Sequence, residues 1–328
     1  MKKHKQTKSI RNLFFDAVAR YYLKKPEQAE FLETRYNSFS LVAKEVINQI
    51  CYIIKLKKSF TITSIQLELT NHCNLKCSMC PVSSSMKRKR GFMDSALFKK
   101  IVDENPDVEF YLLMNWGESL LHPRIFDTVR YIKEKKKRPL LTTNGVLLTP
   151  NVMEEMVNSG LERVTISLDG FGETFTKVRG YDYNKIEKKI FDLIEIRDKK
   201  KSTMAIDINM VIFEETEKQV DEFIKKWRGI VDRVQIQPKI EFQGKRKTRC
   251  KEPWRGNVIV LWDGTVVPCC IDYEGEMNLG DANEKPLNEI FNSKASIELR
   301  MLHNKYKFTG PCSSCSEYIT PYVNPRFE

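Results

Sequence analysis

Cys73, Cys77 and Cys80 stand in the spacing C-x-x-x-C-x-x-C, directly after the alternating run Ile65-Gln66-Leu67-Glu68-Leu69. Such alternation reads as a strand, and a loop leaving a strand end can wrap three thiolates around one small inorganic body. Structural zinc and most iron–sulfur clusters take four protein ligands. Three ligands leave one metal corner open to an exchangeable group. The spacing therefore reads as a three-cysteine 4Fe-4S site with an open iron, against the plainer readings of a zinc knuckle or a redox pair.

The chain has 328 residues and nine cysteines, at positions 51, 73, 77, 80, 250, 269, 270, 312 and 315. No apolar run approaches a membrane span. The Lys-rich start has no apolar segment or cleavage signal of a secretory peptide. The expectation is a cytoplasmic protein whose thiols stay reduced, where cysteines in two groups favour metal over disulfides. Cys51 sits in a helical pattern and reads as a core residue. In the second group, Cys250 and Trp254 precede a hairpin pattern, Asn257 to Cys270, with Asp263-Gly264 as its turn. Cys312-Ser313-Ser314-Cys315 then follows. Zinc would accept four of these thiolates, as in a ribbon.

The elements that must position these residues alternate from residue 64 onward. Strands are expected at 65–69, 108–114, 139–143, 163–168, 204–212 and 233–237. Helices are expected at 94–104, 124–135, 149–159, 183–199 and 216–227. Strict alternation implies a parallel sheet with right-handed crossovers. Six strands predict an α/β fold, a partial (β/α)6 TIM-like barrel, with chemistry at the C-terminal strand ends. The three-cysteine loop is at such an end. So are Gly117-Glu118, Thr142-Thr143-Asn144-Gly145 and Ser167-Leu168-Asp169-Gly170, with Arg179-Gly180 in the loop beyond. Each alone has an ordinary reading as turn chemistry or a helix cap; what they share is one rim.

This ordered set resembles the radical S-adenosylmethionine (radical SAM) superfamily over roughly residues 64–240. The resemblance implies that Cys73, Cys77 and Cys80 hold a 4Fe-4S cluster whose open iron chelates S-adenosylmethionine. It implies contacts from Gly117 and Glu118 to the amino group of that cofactor, and from Ser167 and Arg179 near its carboxylate. Thr143 and Asn209, the latter in Ile208-Asn209-Met210-Val211, join them. Two positions depart from the family pattern: Trp116 stands where a glycine is usual, and Met79 where an aromatic residue is usual. After residue 240 the chain resembles the SPASM/twitch extension of this family, through Cys250, Gly264, Cys269 and the Asn278-Leu279-Gly280-Asp281 turn. Cys250, Cys269, Cys312 and Cys315 would ligate one auxiliary 4Fe-4S cluster, with the glycine register favouring Cys269 over Cys270. The expected organisation is a basic helical extension at 1–60, the barrel at 61–240 and the auxiliary-cluster domain at 241–328.

The implied reaction is reductive cleavage of S-adenosylmethionine to a 5′-deoxyadenosyl radical that abstracts a substrate hydrogen, fed by a reductant such as flavodoxin or ferredoxin. The single-cluster tail resembles that of enzymes that dehydrogenate or epimerise carbohydrate-like or aminocyclitol small molecules. In an epimerase, Cys270 could supply a hydrogen. A peptide- or protein-modifying maturase is the alternative, and a non-catalytic metal-stabilised binding protein is the alternative from another class. The net charge is +12, and residues 1–60 carry 13 Lys/Arg against 5 Asp/Glu. No zinc-finger or RNA-recognition signature accompanies that charge, so no specific nucleic acid is expected. The helical repeat from Leu41 to Leu56 reads as packing on its own domain, or as lying on an anionic membrane surface.

Overall fold

The computed structural model describes residues 39–238 and 245–315. The helical pattern expected before residue 39, with its break at Pro26, lies outside the described residues, as do the expected boundary at 240/241 and the tail after Cys315.

Six parallel strands follow one another in the sheet in the order β6-β5-β4-β3-β2-β1: β1 (Ser64–Leu67), β2 (Phe110–Leu113), β3 (Arg138–Thr143), β4 (Arg163–Ser167), β5 (Ala205–Ile212) and β6 (Arg233–Pro238). Helices at Ser95–Glu104, Ile125–Glu134, Pro150–Asn158, Tyr183–Lys199 and Val220–Trp227 form the crossovers. The outward faces of the strands bury Leu141, Val164, Ile166, Ile206, Ile208 and Val234 in one core with helix residues such as Ile132, Met156, Ile190 and Phe223. The fold is a partial parallel barrel, with β6 at one end of its sheet.

Three elements differ from expectation. Gly172–Arg179 is helical, where Asp169-Gly170-Phe171-Gly172 suggested only a loop. It is stopped by Gly180, left-handed at φ 70°, a conformation that glycine adopts without penalty because it has no Cβ. Lys294–Asn304 forms a second unexpected helix, started by Ser293, whose hydroxyl accepts from the Ser296 amide. The third difference concerns the hairpin. Its first strand, β7 (Asn257–Val260), pairs parallel to β1 with Ser64 opposite Asn257 and Leu67 opposite Val260. Strands β8 (Thr265–Val267) and β9 (Gly280–Asp281) then continue antiparallel. The cysteine-rich region thus extends the barrel sheet from the β1 edge.

The helix Phe39–Ile53 is tied to the same junction. Asn48 is buried; its Nδ2 donates to Thr61 O at 2.7 Å and its Oδ1 accepts from Ser59 Oγ at 2.9 Å and the Phe60 amide at 3.0 Å. Trp254, fully buried, donates through Nε1 to Leu56 O at 2.8 Å. Arg300 is buried with its guanidinium on Pro253 O, Asn292 Oδ1 and Phe291 O.

Glu68, just past β1, is fully buried and receives both terminal nitrogens of Arg88 at 2.8 and 2.7 Å. Asn115 Nδ2 adds a third bond at 2.8 Å. Arg88 also donates to Tyr273 O, and the Lys87 and Arg88 amides donate to Glu274. One buried ion pair thus joins β1, the end of β2 and the cysteine-rich region. Removing one member of a buried pair strands the other charge. Glu68→Ala is expected to destabilise the protein by about 3–5 kcal/mol, measured as a fall in the denaturation midpoint, while Lys188→Ala, at an exposed pair, moves it little.

Candidate active site

The loop carrying Cys73, Cys77 and Cys80 is anchored by its neighbours. Thr70 Oγ1 donates to Gly91 O at 2.7 Å, and Asn71 exchanges bonds with Gly91 N and Lys89 O. The Glu118 amide donates to His72 O at 2.7 Å, the Ser78 amide to Val178 O at 2.9 Å, and Asn144 Nδ2 to Asn74 Oδ1 at 2.8 Å. The ends of β2 and β3 and the helix Gly172–Arg179 all grip this loop. Cys80 stands just before a short helix, Pro81–Ser84, and its carbonyl accepts from the Ser83 and Ser84 hydroxyls. Burial pushes all three thiols up, Cys80 to about 11, and the nearby Arg179 charge opposes the shift. Thiols so placed resist ionising alone, and a bound metal supplies the positive charge that makes them thiolates.

Gly117, at φ 113°, is where β2 rides over the root of this loop. A Cβ there would stand 2.4 Å from Thr70 O and 2.8 Å from Asn71 Cα. Glu118 is buried, and its carboxylate faces the protein. Oε1 accepts from Thr143 Oγ1 at 2.8 Å and the Leu120 amide at 3.0 Å, and Oε2 from the Asn144 amide at 2.7 Å. Burial raises its pKa and these three bonds oppose the rise. Thr143 therefore also faces Glu118, while its Oγ1 accepts from the Gly145 amide at 3.0 Å.

Ser167 and Asn209 stand opposite each other in the β4–β5 register and line the cavity. Asn209 Oδ1 is buried and has no hydrogen-bond partner among the described residues. A buried unpaired acceptor is unfavourable unless something fills it, and a ligand bearing N–H or O–H donors would. Arg179 lines the same wall. Its Nε and a terminal nitrogen meet Asp169 Oδ2 at 2.8 and 2.6 Å, and Asp169 Oδ1 accepts from the Val211 amide at 2.7 Å. Sequence reasoning noted Asp169 only within a turn; its part is to hold Arg179. Asn144 was likewise read as turn chemistry. The signal for both was their position immediately after a strand, which does not say which way a side chain points.

Cys250, Cys269, Cys312 and Cys315 converge from three separate segments. Burial above all, and after it Cys270, Cys312 and Cys250, opposes ionising Cys269, and burial with Cys315 opposes ionising Cys312. Burial pushes Cys250 to about 12 and Cys312 to about 11. Cys270 packs against the apolar Ile259, Leu261 and Val267, and its carbonyl takes the Trp116 indole N–H. Trp116 also meets Tyr273 edge-on at 5.8 Å between ring centroids. Among the described residues, no three His, Cys, Asp or Glu side chains form a group that could hold a single metal ion. The two thiol sets instead line one cavity of about 890 Å³, together with Gly117, Ser167, Arg179 and Asn209. Three thiols from one loop, four more from the cysteine-rich region and an orphaned acceptor around one cavity form a donor set that fits two iron–sulfur clusters and one polar cofactor.

The Radical SAM superfamily model matches residues 67–226, and the SPASM iron-sulfur cluster-binding domain model matches residues 250–316. The chain belongs to the radical SAM superfamily and carries a SPASM domain. With that membership come a 4Fe-4S cluster, an auxiliary cluster and S-adenosylmethionine as cofactors. The tungsten-containing aldehyde ferredoxin oxidoreductase cofactor-modifying protein of Pyrococcus furiosus is 25% identical over 313 residues, covering 77% of this chain and 86% of that protein. The S-adenosyl-L-methionine-dependent 2-deoxy-scyllo-inosamine dehydrogenase of Niallia circulans is 23% identical over 261 residues, covering 77% of this chain and 92% of that protein. Among solved structures, BtrN in complex with AdoMet and 2-DOIA shares the fold at a TM-score of 0.57 and 19% identity, covering 79% of this chain and 94% of that one.

Anaerobically reconstituted protein is expected to hold about eight irons per chain, two cubanes' worth. Replacing Cys73, Cys77 and Cys80 with Ala should leave about four and abolish 5′-deoxyadenosine formation. Cys269→Ala should also leave about four, whereas Cys270→Ala should retain about eight. Iron analysis with electron paramagnetic resonance checks each; stoichiometric zinc with little iron would refute the assignment.

Proposed function

We propose that this radical SAM enzyme dehydrogenates or epimerises a carbohydrate-like or aminocyclitol small molecule. The observation that carries the reading is a band of polar side chains on the mixed inner wall of the barrel, set among apolar residues such as Leu112, Leu140 and Ile259. Ser64 Oγ donates to Asn257 Oδ1 at 2.8 Å, Asn257 Nδ2 to Gln66 Oε1 at 3.4 Å, and Gln66 Nε2 to Asn115 Oδ1 at 3.0 Å. This chain of amides crosses β7, β1 and β2, and Thr142, Thr165 and Gln235 line the same cavity. The hydrogen-bonding capacity left on this band suits a ligand with hydroxyl or amino groups, while the apolar residues beside it can cover a ring face. The similarity to a 2-deoxy-scyllo-inosamine dehydrogenase over most of both chains supports the same class.

The first cluster and S-adenosylmethionine, held by the chain, would supply radical chemistry that takes a hydrogen from the substrate. The chain's residues aim that chemistry and keep water from it. In this reading Cys73, Cys77 and Cys80 hold the first cluster. Ser167, Asn209, Arg179 and the Gly117 backbone receive the cofactor. Glu118 and Thr143 are positioning residues, because their polar groups lock the ends of β2 and β3 around it. Cys250, Cys269, Cys312 and Cys315 hold the auxiliary cluster, which would take the second electron of a dehydrogenation. Cys270, half-buried at the cavity wall, is the hydrogen donor an epimerase would need. A flavodoxin or ferredoxin would be the reductant, and the cytoplasm the compartment. Residues 61–240 would form the catalytic unit and 241–328 the auxiliary-cluster unit, with 1–60 appended.

The test is deuterium transfer from labelled aminocyclitols and sugars into 5′-deoxyadenosine. A ketone product identifies a dehydrogenase. Solvent deuterium in the product, lost in Cys270→Ala, identifies an epimerase. Transfer only from a labelled peptide would replace this reading with a peptide maturase.

A further inference from the structure

Nine large hydrophobic side chains are exposed among the described residues, and seven fall within Ile47–Phe60 and at Tyr306: Ile47, Ile50, Ile53, Ile54, Leu56, Phe60 and Tyr306. The first four lie along or just beyond the helix Phe39–Ile53, with Ile47, Ile50 and Ile54 spaced three and four apart on one stripe. Tyr306 joins them from the other end of the chain. The Lys55 ammonium lies 5.9 Å from its ring centroid, and Asn304 Nδ2 donates to Lys55 O at 2.9 Å. Exposed lysines, Lys55, Lys57, Lys58, Lys305 and Lys307, accompany the apolar side chains. Neither Val46–Phe60 nor His303–Thr309 contains an acidic residue.

A concentration of exposed apolar surface on this scale marks an interaction site. Its composition indicates the partner. Protein–protein interfaces are enriched in arginine and depleted in lysine, and here the exposed cations of both segments are lysines. A helix with branched apolar residues on one face and lysines around it is the pattern of a segment lying in the headgroup layer of an anionic bilayer. No helix among the described residues is long and apolar enough to cross a membrane, so the contact is with the surface. We propose that this face, Ile47–Phe60 with Tyr306, docks the enzyme onto an anionic phospholipid surface. The proposal is independent of which substrate the barrel accepts.

The measurement is co-sedimentation of the full, cluster-loaded chain with vesicles of phosphatidylcholine alone or mixed with phosphatidylglycerol. The wild-type chain should bind only the mixed vesicles, and less so as salt rises. Ile50→Glu with Ile54→Glu should weaken binding at least roughly tenfold at unchanged iron content, and Lys55→Gln, Lys57→Gln and Lys58→Gln together should weaken it as well. Equal binding by the wild-type and Ile→Glu chains would overturn the proposal and assign any attachment to the basic residues before position 39. Failure of the wild-type chain to bind mixed vesicles would also overturn it, as would a wild-type dimer in solution that the Ile→Glu changes dissociate.

Discussion

The buried carboxylate of Glu118 is the interaction on which the rest of the site depends. Its own amide holds His72 of the cluster loop, one oxygen takes Thr143 and Leu120, and the other takes Asn144. Three strand ends are thereby fixed relative to one another by direct hydrogen bonds. Such a group is stable only while all its bonds are made. Gly117 makes the arrangement sterically feasible, since any side chain there would run into the backbone of the loop. The same few residues therefore fix the three-thiol loop against the ends of β2 and β3.

A second set of contacts keeps the two thiol groups facing one cavity. The hairpin adds β7 to β1, and the Glu68–Arg88 pair carries the connection on to Tyr273 and Glu274. Trp116 reaches from the end of β2 to the carbonyl of Cys270. At the position where a glycine is usual, its indole occupies the seam between the two cluster regions. These contacts hold the two thiol-bearing regions together with hydrogen bonds and one buried ion pair.

Much of this was legible in the chain itself. The parallel barrel followed from the alternation of strand and helix patterns, and the loop with three thiols was evident from spacing after a strand. Local patterns failed where long-range contacts decided. Gly172–Arg179 has a weak helix start and glycines before it, yet forms a helix because Phe175 and Val178 bury into the core. The hairpin at 257–267 was recognisable from Asp263-Gly264, but its parallel pairing with β1, nearly two hundred residues away, is invisible to any local rule. Glu118 shows the same limit within the site: its place at a strand end was readable, but not that its oxygens turn inward to Thr143 and Asn144.

The sequence by itself determined the chemistry. Residue type and spacing place three thiols on one short stretch of backbone after a strand, and the ordered set of strand-end residues beyond it carries the resemblance that selects a cluster over zinc or a redox pair. Only the tertiary structure decided which side chains face the cavity and which hold others in place, and that the four distant thiols line the same cavity as the first three. Those outcomes depend on the register of nine strands and on the direction of buried side chains, which are settled by packing and by the pairing of every buried polar group across the whole chain.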